Sequence, residues 1–310
     1  MIHYVFASRT NIGDWLSSKG IQSLLGDHPS REHLCDEPFV PETIEKLSSV
    51  GNRELVVIGG GGLFMDYFTP FWESFETIAH RLTFGIWGVG LCDLKHINSR
   101  AQDQLLTRIV NQSHFTYVRD SLTRDFLDNA KVPPPVECPS INFIKPVPPG
   151  DTLLHVSHYG DVGPEAYQVM HTTGMEFARR TGRPYLETDN EIPSGTPESL
   201  GLSNLLARYA SSDLVMSSRL HGCLIGLAMG RKVIAVSADR KVDAFMTSAG
   251  LKDWVCDVND TSRLADMLSR ATEQPSTSQF LSSVRSKNLD IASRVMSLVE
   301  HLEGPQVQLR

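Results

Sequence analysis

Asp213-Leu-Val-Met-Ser217-Ser218-Arg219-Leu220-His221-Gly222-Cys223-Leu-Ile-Gly-Leu-Ala-Met229 is an apolar run, a polar turn and a second apolar run. The first run has the length and character of a buried strand. In the second, Leu220, Leu224 and Leu227 share one helical face at i, i+4, i+7 spacing. Strand, turn, helix is the repeating unit of an α/β sheet, and its turn lies at the carboxyl end of the strand, where open sheets gather ligands. This turn sets the fixed cation of Arg219 and the imidazole of His221 beside a helix N-terminus, whose free N–H groups and dipole favour a phosphate or carboxylate. Arg219 and His221 are therefore the candidate catalytic pair, with Ser218 and Leu220 placed to touch the same ligand. A structural ion pair for Arg219 and a hydrogen-bonded core position for His221 are the competing readings.

The same alternation extends along the chain. Strand-like runs fall at Ile2 to Ala7, Leu55 to Ile58, Phe84 to Val89 and Phe115 to Val118, with helical patterns near 14–25, 71–82, 98–112 and 121–129. Further strands are expected at Thr152 to Ser157, Pro184 to Thr188, Leu214 to Ser217, Lys232 to Ser237 and Trp254 to Val258, and terminal helices over about 276–302. Prolines crowd Pro133 to Pro139 and Pro146 to Pro149, which marks a linker. The expected architecture is two Rossmann-like α/β domains with parallel sheets, residues 1–147 and 148–310, and a site in the cleft between them.

Composition narrows the function. A formal net charge of −7 argues against a nucleic-acid binder that neutralises phosphates over a broad basic face. Five cysteines without CxxC spacing fit free thiols in a reduced compartment, and no clustered His, Asp or Glu ligands suggest a catalytic metal. No signal-like N-terminus and no apolar run of membrane-spanning length is evident, so a soluble cytoplasmic protein is expected.

Other strand ends carry further candidates. Asn11-Ile-Gly13-Asp14 follows the first strand, where Asn11 or Asp14 would cap the next helix and still face a ligand. Gly59-Gly60-Gly61-Gly62 follows the second apolar run but lacks the spacing of a dinucleotide fingerprint and the Lys-Ser/Thr of a phosphate loop. It fits either a backbone cradle for a ligand or a tight strand-to-helix turn. Arg119, in Val118-Arg119-Asp120, faces the same crevice or pairs with its neighbour. Of His155 and His158, strand alternation turns at most one toward the core, and His158, nearer the strand end, is the better site candidate. Phe64, Tyr67, Phe68, Phe71, Trp72 and Phe75 have helical spacing that suggests a sugar-stacking platform, but Phe71, Trp72 and Phe75 lie behind Pro70 at a helix start and read as core.

In order and spacing, these segments resemble the polysaccharide pyruvyl transferase family: Asn11-Ile-Gly-Asp14, Gly59 to Gly62, Gly88-Val-Gly90, Val118-Arg-Asp120, Ser218-Arg-Leu-His-Gly222, Gly230-Arg-Lys-Val-Ile-Ala235 and Asp239-Arg-Lys241. The chain departs from the family's habit at Lys232, commonly proline, and at Gly222, often alanine. The resemblance implies a two-domain fold like that of GT-B glycosyltransferases. It also implies transfer of the pyruvyl group of phosphoenolpyruvate, with loss of phosphate, onto two hydroxyls of one sugar to give a cyclic ketal. The implied donor is phosphoenolpyruvate with no cofactor, and the acceptor is a sugar or lipid-linked oligosaccharide of an exopolysaccharide. The work would be done at the inner face of the membrane beside membrane-bound assembly enzymes. Asn11, Gly13, Asp14, Gly60, Gly61, Gly62, Arg119, His158 and Lys241 would then bind substrate around Arg219 and His221. A nucleotide-sugar glycosyltransferase and a catalytically silent glycan-binding assembly protein are the alternatives.

Overall fold

The computed structural model describes residues 1–97 and 102–304. Two five-stranded parallel sheets form its framework. The first contains β1 (Ile2–Phe6), β2 (Ser30–Leu34), β3 (Leu55–Phe64), β4 (Thr83–Leu91) and β5 (Phe115–Val118), in the order β2-β1-β3-β4-β5. The second contains β6 (Thr152–Val156), β7 (Tyr185–Thr188), β8 (Ser212–Ser217), β9 (Lys232–Ser237) and β10 (Val255–Asp257), in the order β10-β9-β8-β6-β7. Both halves thus place their second strand outside the first and run the rest the other way. The strand order reverses between β1 and β3 in one sheet and between β6 and β8 in the other, which creates two ligand-accepting crevices.

β3 shows how the first sheet is built. Val56 and Ile58 are fully buried on one face, in a cluster with Phe71, Trp72 and Phe75 of the helix Thr69–Ala79. Leu55 and Val57 point to the other face, as the two-residue period of a strand requires. Burial of each such large side chain contributes about 1.5–3 kcal/mol, so the aromatic triplet is core, as its spacing predicts.

The opposite face is covered by the last helix, Ser278–Glu303, whose Ile291, Val295 and Val299 join Ile2, Tyr4 and Leu55. Trp87 Nε1 donates to the buried Asn288 Oδ1 across 3.3 Å. The terminal helix, encoded after the second sheet, thus crosses the expected boundary at residue 147: Leu281 and Val284 join the core of the second sheet, and Ile291, Val295 and Val299 that of the first. Pro133 to Pro139 is not a free linker, since Val136 N bonds to Val118 O at 3.0 Å and Cys138 is buried. Residues 145–150 are the exposed connection.

Two elements differ from expectation. Ser30–Leu34 is an edge strand of mostly polar residues, with only His33 buried, so it carries no apolar run. The four glycines are not a turn. They continue β3 through to Phe64, with a register shift against β4 between Gly61 and Phe64. The helical pattern near 98–112 is a helix over Asp103–Gln112, and residues 98–101 lie outside the described residues.

Candidate active site in the cleft between the sheets

Two short seams join the halves. In one, Ile12 N donates to Asn190 O at 3.0 Å and Ile192 N to Thr10 O at 2.8 Å, an antiparallel bridge of Asn11 with Glu191. In the other, Leu94 bridges Asp239, and Asp93 N donates to Asp239 Oδ1 at 3.1 Å. Between the seams lies a cleft of about 280 Å³, whose walls include Asn11, Asp14, Gly62 and Arg119 from the first half and Ser218, Arg219, Leu220, His221 and Lys241 from the second.

Each polar wall residue sits at the end of a strand or the start of a helix. Asn11 Oδ1 accepts from Gly13 N at 2.9 Å and caps the helix Ile12–Leu25, which brings Asp14 into its first turn. Asp14 lies against Gly61, where a β-carbon would stand 2.2 Å from its Oδ1 and where φ is +92°; only glycine meets both conditions without strain. Burial pushes the Asp14 carboxyl up to about 6, against the opposing pull of Arg119 and Arg219.

Arg119 follows β5, is buried, and lies along β4 so closely that a β-carbon at Gly90 would be 2.1 Å from its Nε. Its Nε is 3.5 Å from Asp120 Oδ2, while Asp120 Oδ1 caps the next helix through Thr123 N at 2.7 Å. Arg119 therefore combines the two roles open to it, paired with its neighbour and facing the cleft. Arg219 precedes the helix Leu220–Ala228 and donates from Nη1 to Asp189 O at 2.7 Å and Glu191 Oε1 at 3.2 Å. Lys241 Nζ is 2.7 Å from Asp239 Oδ2 and 3.1 Å from Cys92 Sγ.

His221 Nε2 is 3.0 Å from Ser17 Oγ, and that hydroxyl donates to Gly13 O at 2.8 Å. The Cys138 thiol lies 2.9 Å from the same hydroxyl and 3.6 Å from Nε2, so Ser17 and Cys138 together hold this edge of the ring. Burial, then the charges of Arg119, Lys241 and Arg219, hold the imidazole well below its ordinary value. The ring is therefore held in its neutral form.

Four expected site residues are placed differently. Gly13, Gly60 and Gly61 do not form the cleft wall; they sit behind it, against His221, Ser17 and Asp14 respectively, and let those side chains close in. His158 precedes the helix Tyr159–Thr181 and turns outward, nearly half exposed, to pair with Asp161 at 3.2 Å. His155 turns inward and is bonded to Ser157 and Glu187. Conversely, Cys92, Asp161, Asn190 and Asp239 line the cleft although the sequence did not mark them as binding residues, and Tyr67 and Phe68 of the aromatic run line it too. Asp239 lay within a matched segment, but nothing local marks Asn190 or Cys92.

The family model of polysaccharide pyruvyl transferases matches residues 11–240, from the Asn11 cap to the residue before Lys241. The chain belongs to that family. Among curated proteins, none matches this family member by sequence. In three dimensions it is similar to Staphylococcus aureus MnaA in complex with UDP (TM-score 0.60, 8% identity, 97% of this chain and 96% of that one). It is also similar to the UDP-GlcNAc 2-epimerase of Neisseria meningitidis bound to UDP-GlcNAc (TM-score 0.57, 11% identity, 96% and 99%). A third likeness is to a putative UDP-N-acetylglucosamine 2-epimerase of Listeria monocytogenes (TM-score 0.58, 8% identity, 98% and 97%). At such identities the likeness is one of fold: the family member has the GT-B-like arrangement of two α/β units. No helix among the described residues is long and apolar enough to cross a membrane.

Proposed function

We propose that the protein transfers the pyruvyl group of phosphoenolpyruvate to two hydroxyls of one sugar in a polysaccharide or its oligosaccharide precursor, releasing phosphate. The observation that carries this reading is the convergence of Arg119, Arg219 and Lys241 on one cleft around a neutral imidazole. Phosphoenolpyruvate brings a carboxylate and a phosphate on one carbon. Guanidinium forks, an ammonium and helix-terminal N–H groups match that pair of anions, and no divalent cation is then required for charge balance.

The reaction needs one acid and one base. A proton added to the methylene carbon turns it into a methyl group and leaves a cation-like centre at the carbon bearing the phosphate. One sugar hydroxyl attacks that centre and gives up its proton; the C–O bond to phosphate breaks, and the second hydroxyl closes the ketal as its proton leaves. Two protons are lost from the sugar: one balances the proton now on the methyl carbon and the other leaves with phosphate. In this reading His221 is the base toward the hydroxyl. Asp14, with its carboxyl pushed up to about 6, is the acid toward carbon. Cationic neighbours stabilise the carboxylate and phosphate while the carbon becomes positive.

The test is a mass-spectrometric screen of oligosaccharide acceptors with phosphoenolpyruvate in a chelating buffer, with phosphate release followed in parallel. A pyruvate-ketal mass gain with stoichiometric phosphate is the expected result. Release of a nucleotide from a sugar nucleotide, with no reaction of phosphoenolpyruvate, would assign the cleft to glycosyl transfer instead.

A further inference from the structure

Asn190 is 1% exposed and takes a backbone φ of +64°, the sole non-glycine residue with positive φ among the described residues. Such a conformation costs about 1–3 kcal/mol in general and persists only where its surroundings over-determine it. Here they do. Asn190 O accepts from Ile12 N at 3.0 Å, and its side-chain Oδ1 accepts from the buried Tyr209 hydroxyl at 2.9 Å. With its oxygen held by Tyr209, the amide is locked, and its NH₂ group has no hydrogen-bond partner among the described residues although the residue lines the cleft.

A second buried donor on a cleft residue shares this condition. Ser218 Oγ is likewise without a hydrogen-bond partner among the described residues, on a residue 4% exposed. Leaving one such group unsatisfied is costly, and two on residues of one cavity wall are suited to being satisfied together. Asn190 is tied to the anion-binding side of the cleft: its neighbour Asp189 accepts from Arg219 through its carbonyl, and Glu191 does so through its carboxylate. An uncharged N–H donor there adds a directed hydrogen bond to an anion without adding charge or further lowering the basicity of His221.

We infer that Asn190 is a substrate-binding residue whose Nδ2 donates to an anionic oxygen of the donor, completing a set with Arg119, Ser218 and Arg219. This rests on the phosphoenolpyruvate reading above. Its geometry also makes it specific: Tyr209 fixes the orientation of the amide, and the left-handed backbone fixes its place. A substrate lacking an acceptor oxygen at that point would leave the amide unpaired.

Calorimetric titration of phosphoenolpyruvate into the wild type, Asn190→Asp and Asn190→Gly tests this. Aspartate keeps the oxygen that Tyr209 binds and tolerates the left-handed backbone, but loses the donor; glycine accepts the backbone and adds no charge. Thermal melts establish that each variant is folded, and Tyr209→Phe serves as a second route to the same amide, by releasing its orientation. Both Asn190 variants should bind phosphoenolpyruvate about tenfold more weakly or worse, while Tyr209→Phe falls between them and the wild type. Wild-type affinity in folded Asn190→Gly would overturn the inference even if Asn190→Asp were weak, since the aspartate would then act by repulsion alone. If Asn190→Gly does not fold, wild-type affinity in Tyr209→Phe overturns it. Failure of the wild type to bind phosphoenolpyruvate would overturn the functional reading itself, and this inference with it.

Discussion

Gly13 and His221 touch across the two halves of the protein: a β-carbon on Gly13 would stand 2.2 Å from His221 Nδ1. The glycine of the Asn-Ile-Gly-Asp segment is thus required by a side chain more than two hundred positions away. The first expectation is that Gly13→Ala displaces the imidazole. A shift of that size in a packed wall costs about 1–3 kcal/mol, and it moves the proposed base. Thermal melts should show a modest loss of stability and steady-state assays a much larger loss of turnover. Unchanged turnover would mean that the position of His221 is immaterial to the chemistry.

Arg219 and His221 should separate in their effects. Arg219→Lys keeps a charge but loses the planar guanidinium, whose Nη1 is held by Asp189 O and Glu191 Oε1 and whose other N–H groups could grip an anion at two points, and donor affinity should fall by about 1–3 kcal/mol. His221→Ala should leave donor affinity nearly intact and lower turnover about a hundredfold or more. If His221→Ala instead loses affinity and turns over normally at saturation, the imidazole binds rather than transfers protons.

Asp14 sets a pH dependence whose sign is fixed. Its folded pKa, raised to about 6, exceeds that of an unfolded carboxyl near 3.8, so its protonated form is favoured by folding. That contribution is full below the unfolded value and is lost as pH rises through 6. Asp14→Asn should therefore stabilise the protein against the wild type more at pH 8 than at pH 4, as denaturant melts at the two values would show. If Asp14 is the acid, wild-type turnover should fall as pH rises through its pKa, and Asp14→Asn should abolish that limb together with most activity.

His158→Ala should leave donor affinity within about twofold of the wild type, because an exposed His–Asp pair is worth little and the ring stands outside the cleft wall. A tenfold loss in the same titration would return His158 to the site.

The parallel alternation was legible because strands buried on both faces carry a short apolar run, as Leu153-Leu154, Leu214 to Met216 and Val233 to Val236 do in β6, β8 and β9. β2 was not, because an edge strand needs no apolar run, and Ser30 and Arg31 are exposed. The place of Arg119, Arg219 and His221 on the cleft could be read because all three lie just past strand ends, where the fold opens its crevices. Asn190 could not: what marks it is a backbone angle, a bond to Tyr209 and a seam with Ile12, none of which has a local signature. The glycine run misled for a related reason. Its glycines serve the close approach of Ser17 and Asp14 from a neighbouring helix, and nothing in the run itself distinguishes that from the approach of a ligand.

The return of the helix Ser278–Glu303 to the first sheet bears on how the chain is made. During synthesis β1 to β5 emerge first, yet the face formed by Ile2, Tyr4 and Leu55 waits for Ile291, Val295 and Val299, which follow every strand of the second sheet. The first half must therefore persist with that apolar face exposed until the second has been delivered, an interval in which it invites aggregation or a chaperone's grip. The helix that ends this interval also makes the two halves one cooperative object, so that neither is finished before the other.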